Sequence, residues 1–350
     1  MAQHFADFRS DTVTRPTARM LDAMPKAHVG DDVLGDDPTV QTLERKMAEF
    51  FGFDAAMLMP SGTMANQCAA AAHIEPGEEV VVESNSHIFE FEGGGLARIA
   101  GAHVRTISGD AGMLPIDEVA AAVRPPSLHM PRTGLVSVEQ THLISGGSIL
   151  PLSYLQELRV LSHEMGFPIH IDGARIWNAL VETGVPATEY GQLCDSLAVC
   201  LCKGLSCPVG SILLGGGAFI ERAKRVRKWM GGGMRQSGYL AACGLVALDE
   251  TLGIVSEDNA RCRRLGGSVL GIPGLQIAQP NIDTNILFVE IDHPELDAPM
   301  IEAALHEHHV LALSLGNRLL RFVTHRGVTD ADVERAAAAL QEILTYEPQN

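Results

Sequence analysis

The chain has 350 residues, more than one hydrophobic core usually serves, so two domains with shared packing are expected. Apolar residues make up 46% and charged residues 20%, a balance that excludes a disordered chain. The formal charge of −17 excludes nucleic acid and anionic membrane surfaces as partners, and no run of about 18 apolar residues offers a membrane span.

Taken from the N-terminus, "MAQHFADFRSDTVTRP" carries acids and no apolar h-region, so it does not read as a signal peptide. "PTVQTLERKMAEFFG" (38–52) has apolar residues at helical spacing after an Asp-Pro start. Dense apolar runs of strand length follow: "AAMLMP" (55–60), "EVVVES" (79–84), "GLVSVEQT" (134–141), "PIHIDG" (168–173), "SLAVCLC" (196–202) and "GSILLGG" (210–216). Density without alternation suits strands covered on both faces. A further helix, "LPLSYLQELRVLSHEMG" (150–166), ends at Gly166. Strands alternating with helices predict an α/β domain with a largely parallel sheet. After about residue 250 the texture changes. "TNILFVEI" (284–291) and "NRLLRFVTH" (317–325) read as strands, with helices near 295–308 and 328–345, which predicts a smaller α+β domain. The expected division is 1–250, with an N-terminal arm, and 251–350.

Seven cysteines, an odd number in apolar contexts, point to reduced thiols and a cytoplasmic protein. Cys200, Cys202 and Cys207 lack the paired short spacing of a zinc knuckle and a completing histidine, so no metal is expected.

Ligands of open α/β sheets sit beyond the C-terminal ends of strands, so residues that end strands are the candidates. Ser61, Gly62 and Thr63 of "MPSGTMANQ" end a strand and open a helix, a place suited either to a phosphate or to a plain N-cap. Asp172 ends "PIHID"; it either caps the next element or meets a cation such as a protonated pyridine nitrogen. Arg175 adds a guanidinium fork that fits a carboxylate. Lys203 is the one lysine of "AVCLCKGLSCPVGSILLGG" and follows Asp172 by about one helix plus one strand. It is either a surface lysine on a strand-end loop or an amine used to form an imine with a carbonyl cofactor. Phosphate cradle, ring-nitrogen carboxylate and lone strand-end lysine together describe a pyridoxal phosphate (PLP) site. His87 and His142 also follow strands, as structural residues, as a ring-stacking imidazole or as a proton acceptor.

"FRSDTVTRPTARMLDAM", "VGDDVLGDDPTVQTLE", "SGTMANQ", "HIDGARIWNA", "CKGLSCPVGS", "GGGMRQSG" and "RFVTH" resemble, in order and over nearly the whole chain, the low-specificity L-threonine aldolases. The resemblance implies a fold-type-I PLP enzyme of the β-eliminating lyase superfamily that cleaves β-hydroxy-α-amino acids to glycine and an aldehyde. It implies that Lys203 holds the cofactor as an imine, Asp172 pairs with its ring nitrogen, and Ser61, Gly62 and Thr63 bind its phosphate. It further implies that His87 stacks on the ring and that Ser10, Arg175 and Arg321 hold the substrate carboxylate. His142 and Lys228 would lie near the substrate hydroxyl, and Arg235 would reach the phosphate from a neighbouring subunit of a homotetramer.

The chain departs from the usual family pattern at Leu34, Gln140, Leu143, Cys202 and Ser206. Leu34 and Leu143 replace polar residues, which predicts a site that favours apolar or aryl β-substituents, such as that of phenylserine, over methyl. β-Elimination, transamination and cofactor binding without turnover are the competing readings.

Overall fold

The computed structural model describes residues 4–345 apart from Thr251. The strands in chain order are β1 (Ala6–Asp7), β2 (Ala55–Met59), β3 (Glu79–Glu83), β4 (His103–Ile107), β5 (Thr133–Glu139), β6 (Ile169–Gly173), β7 (Ser196–Cys200), β8 (Ser211–Gly215), β9 (Leu275–Ile277), β10 (Ile286–Ile291), β11 (Val310–Leu311), β12 (Leu313–Ser314) and β13 (Leu319–Val323). The large sheet has seven strands in the order β2-β8-β7-β6-β5-β3-β4. All pairs among β7, β6, β5, β3 and β4 are parallel. β8 alone runs against its neighbours β2 and β7. The largely parallel α/β sheet expected from the sequence is therefore present, with one reversed strand.

Every residue of β3, β5, β6, β7 and β8 is buried, which is why these segments read as dense apolar runs. The helix Pro38–Phe51 begins where the Asp37 side chain accepts from the Thr39 and Val40 N–H groups, each at 3.1 Å. It ends at Gly52, whose φ of 75° suits a residue without a Cβ. Helices Leu152–Met165 and Ile176–Thr183 cross over between successive parallel strands.

The second sheet is antiparallel, in the order β12-β13-β10-β9, and packs with helices Leu252–Val269, Ala298–Glu307 and Asp330–Thr345. The N-terminal arm joins this part of the molecule: β1 pairs in parallel with β11, and Phe8 meets Phe322 edge-on at 5.9 Å. No single helix among the described residues is long and apolar enough to cross a membrane. All seven cysteines are free thiols.

β2 runs in the same sense as β3, β5, β6 and β7, so their C-terminal ends share one edge of the sheet. From that edge emerge Ser61, His87, Glu139, Asp172 and Lys203.

Candidate active site

At this edge lies a cleft of about 330 Å³. Ser61, Gly62, Thr63, His87, Asp172 and Lys203 all line it, together with Thr12, Thr14, Asn66 and Glu92. Six residues singled out in the sequence are thus brought to one place.

Lys203 sits in the turn that joins β7 to the reversed strand β8. Its carbonyl accepts from the Ser206 N–H at 2.8 Å and the Thr14 hydroxyl at 3.1 Å, which pins the backbone. Among the described residues its ammonium makes no hydrogen bond or ion pair. A lysine fixed at the backbone and free at the amine is disposed to react with a carbonyl. Ser206 has a φ of 59°, a conformation that favours glycine, and its buried hydroxyl has no hydrogen-bond partner among the described residues.

The helix Gly62–His73 opens onto the cleft. Ser61 is its N-cap, its hydroxyl accepting from the Met64 N–H at 3.1 Å. The N–H groups of Gly62 and Thr63 are in the first turn, where no helical carbonyl can reach them. With the positive end of the helix dipole they suit an anion such as a phosphate. A Cβ on Gly62 would fall 2.9 Å from Cys200 Sγ, so glycine lets helix and strand approach.

Asp172 ends β6. Its Oδ1 accepts from the Ala174 N–H at 3.0 Å and its Oδ2 from the Asn66 amide at 2.7 Å. The same amide nitrogen donates to Glu92 Oε1 at 2.8 Å. Glu92 also meets His87 Nδ1 at 3.0 Å and accepts from Gln67. Burial pushes the Glu92 carboxyl up from its ordinary range, against the hydrogen bond from His87. Burial alone would lower His87, but its hydrogen bond to Glu92 and the charge of Asp172 raise it. His87, Glu92 and Asp172 offer ligand atoms within 4.8 Å of one another, yet all three are engaged by neighbouring side chains. Glu139 ties two strand ends together, accepting from the His87 N–H at 2.7 Å and the Leu143 N–H at 2.9 Å.

The remaining candidates lie elsewhere. His142 is buried outside the lining of the cleft, with both ring nitrogens occupied: Nε2 meets Glu83 at 3.0 Å and Nδ1 meets Ser145 at 2.8 Å. Arg175 is turned onto Asp11, and Ser10 caps the short helical turn Asp11–Val13 through the Thr12 N–H at 3.2 Å. Arg321 donates to the Arg9 carbonyl at 3.0 Å, and its buried Nε has no partner among the described residues. Burial, and then the charge of Arg175, lower its affinity for the proton.

Lys228 and Leu34 line a different cleft of about 710 Å³, and Arg235 pairs with Asp31 at 2.7 Å beside it. Leu34 is 77% exposed. Leu143 packs with Ile286, Phe288 and Val323 rather than facing the active-site cleft. Gln140 is a buried structural bracket, its amide donating to the Leu150 carbonyl at 3.2 Å and accepting from the Leu150 N–H at 2.8 Å. The sequence reading therefore missed Asn66 and Glu92. The signals were an Asn one turn into the helix after "SGT" and an acid five residues after His87.

Residues 7–292 match the family model of the β-eliminating lyases. The low specificity L-threonine aldolase of Escherichia coli (strain K12) is 42% identical over 339 residues, covering 97% of this chain and 99% of that protein. The solved structure of Leishmania major threonine aldolase aligns with a TM-score of 0.84 at 21% identity, over 97% of this chain and 99% of that one. A structure of SPT with a PLP internal aldimine aligns with a TM-score of 0.76 at 17% identity, over 96% and 86% of the two chains.

Proposed function

We infer the reaction from descent: the chain belongs to the β-eliminating lyase family and, within it, to the low-specificity L-threonine aldolases. It is an aldehyde-lyase that cleaves L-threonine, L-allo-threonine and related β-hydroxy-α-amino acids between Cα and Cβ, giving glycine and an aldehyde.

Pyridoxal phosphate is its cofactor, and it supplies the electron sink for the electrons of the broken bond. The residues of the cleft fit that group. Lys203 presents a free amine, the helix N-terminus at Ser61–Thr63 an anion site, and Asp172 a carboxylate beside His87. When the cofactor is bound, Asp172 would supply the counter-charge to its ring nitrogen, and His87 would be the imidazole beside the ring. Arg175 and Arg321 hold the substrate carboxylate, with Ser10 at the same end of the N-terminal arm. With both nitrogens of His142 engaged, His87 is the imidazole that faces the cleft. The free amine of Lys203, at a strand-end edge beside Asp172, is the observation that carries this reading.

The protein acts as a homo-oligomer, a tetramer in the family pattern. Lys228, Arg235 and Leu34 gather outside the chain's own cleft, which is where residues that complete a neighbour's site belong. Leu34 then adds apolar surface on the β-side of the substrate, so phenylserine is cleaved at least as well as threonine. The seven free thiols suit the cytoplasm. Assaying products from L-threonine tests the reaction: glycine with acetaldehyde supports it, and ammonia with an oxo acid overturns it. A strong kcat/KM preference for threonine over phenylserine overturns the substrate range.

A further inference from the structure

Behind Asp172 a thread of hydrogen bonds leaves the cleft and ends at a partly exposed histidine. Asn66 Nδ2 lies 2.7 Å from Asp172 Oδ2. Asn66 Oδ1 lies 3.1 Å from His170 Nε2. His170 Nδ1 lies 2.8 Å from Ser196 Oγ, and Ser196 Oγ lies 2.7 Å from His73 Nε2. Asn66, His170 and Ser196 are buried, and the His73 ring stacks on Phe219 at 4.4 Å.

The chemistry of the groups fixes the direction of every bond. Two carboxylates, Asp172 and Glu92, face the Asn66 nitrogen, so that atom is the amide NH₂ and both its hydrogens are used. Asn66 Oδ1 must then accept, and His170 Nε2 must donate. In a neutral ring His170 Nδ1 accepts, so the Ser196 hydroxyl donates to it. The Ser196 oxygen is left to accept from His73 Nε2. All four donors point toward Asp172. Burial holds His170 down at about 4, and burial holds His73 down at about 3, so both rings stay neutral.

We propose that Asn66, His170, Ser196 and His73 form a one-way chain of neutral donors that positions the Asp172 carboxylate toward the cofactor's ring nitrogen. The proposal rests on the reading of Asp172 as that nitrogen's partner. Aligned hydrogen bonds polarise one another, so the last one, to the carboxylate, gains from those behind it. A cation in the same place would compete with the pyridinium for the carboxylate. Neutral donors do not. The amide of Asn66 cannot pass a proton along, so the thread stabilises charge without conducting protons from solvent. Of this thread only Asp172 and Asn66 line the cleft, and Asn66 acts through Asp172, so the four are positioning residues.

The test uses ¹⁵N-histidine NMR of the whole protein together with a pH titration of the visible band of added pyridoxal phosphate. The variants are Ser196→Ala, Ser196→Thr, His73→Leu and His73→Gln. His170 is expected as a single neutral Nε2–H tautomer in the wild type, before and after cofactor is added. Ser196→Ala and His73→Leu should move the midpoint of the band by about half a pH unit, the size of one weakened neutral hydrogen bond. Ser196→Thr and His73→Gln keep a donor in place and should leave it within about a tenth of a unit of wild type. Finding His170 as the Nδ1–H tautomer overturns the proposal. So does a band whose midpoint is the same in all four variants. Failure of the wild type to develop a cofactor band at all would overturn the PLP reading and, with it, this proposal.

Discussion

Arg175 and Asp11 form a bidentate pair in the interior: Arg175 Nε lies 2.7 Å from Asp11 Oδ2, and Nη2 lies 2.8 Å from Oδ1. Asn285, from the antiparallel sheet region, adds a third contact to Oδ2 at 3.2 Å. The guanidinium that the sequence assigns to the substrate carboxylate is thus oriented by the N-terminal arm, and its third nitrogen, Nη1, has no hydrogen-bond partner among the described residues.

Stability should therefore fall in acid through Asp11. Burial works to raise the Asp11 carboxyl, but the Arg175 charge overrides it and brings it down to about 2. Its folded value lies below its unfolded value, so the pair stabilises the protein above about pH 4 and ceases to do so as the pH falls through about 2. The contribution lost is on the order of 2 kcal/mol. Urea unfolding of Asp11→Asn beside wild type checks this: the gap between them should narrow over that window and stay constant above it.

A different buried carboxyl should behave with the opposite sign. Both oxygens of Asp258 are buried without a hydrogen-bond partner among the described residues, and Arg261 Nη1 stands off at 3.7 Å. Burial pushes its carboxyl up to about 8. Its folded value lies above its unfolded value, so stability is greatest below about pH 4 and is lost as pH rises through about 8. Asp258→Asn removes the charge and keeps the shape. Its melting temperature should exceed that of wild type by about 2 °C at pH 9, with the advantage shrinking at pH 5.

Gly62 should be needed for the anion site rather than for the helix. Alanine favours helix, yet its Cβ would press on Cys200 Sγ and displace the first turn. Gly62→Ala should weaken pyridoxal phosphate binding by about tenfold, on the order of 1.4 kcal/mol. Adding Cys200→Ala should restore most of it. Equilibrium dialysis against the cofactor reads both effects.

If Arg235 serves a neighbour's site, two inactive variants should rescue each other. Lys203→Ala and Arg235→Ala are each expected to lose turnover when pure. Mixed after subunit exchange, they form hybrids in which one site carries both intact residues, and about a quarter of wild-type activity should return. No recovery, with hybrids shown by native mass spectrometry, would place Arg235 in its own chain's site or in none.

Sequence and structure agree where a residue's environment is set by its neighbours along the chain. The buried strands β3, β6, β7 and β8 announce themselves because both faces are covered. The strand β4, "HVRTI", is not legible in the sequence: it is an edge strand whose first four residues are half-buried or exposed, with only Ile107 buried and no apolar run to mark it. In the site, Lys203, Asp172 and Ser61 were legible because parallel α/β topology sends strand ends to one edge. The partners that orient His142 and Arg175 were not, because they are remote: Glu83 lies 59 residues from His142, and Asp11 lies 164 residues from Arg175. A motif shows which side chains are present; the partner that sets the direction of one belongs to another strand or to the N-terminal arm.

The measurement that bears most directly on the whole account is the visible spectrum of Lys203→Ala beside wild type, with pyridoxal phosphate, before and after L-threonine. Wild type should show a cofactor band that borohydride abolishes, and should release acetaldehyde and glycine together. Lys203→Ala should lack that band and release no acetaldehyde. A variant that still turns threonine over at the wild-type rate, or a wild type that binds the cofactor through another residue, would contradict it.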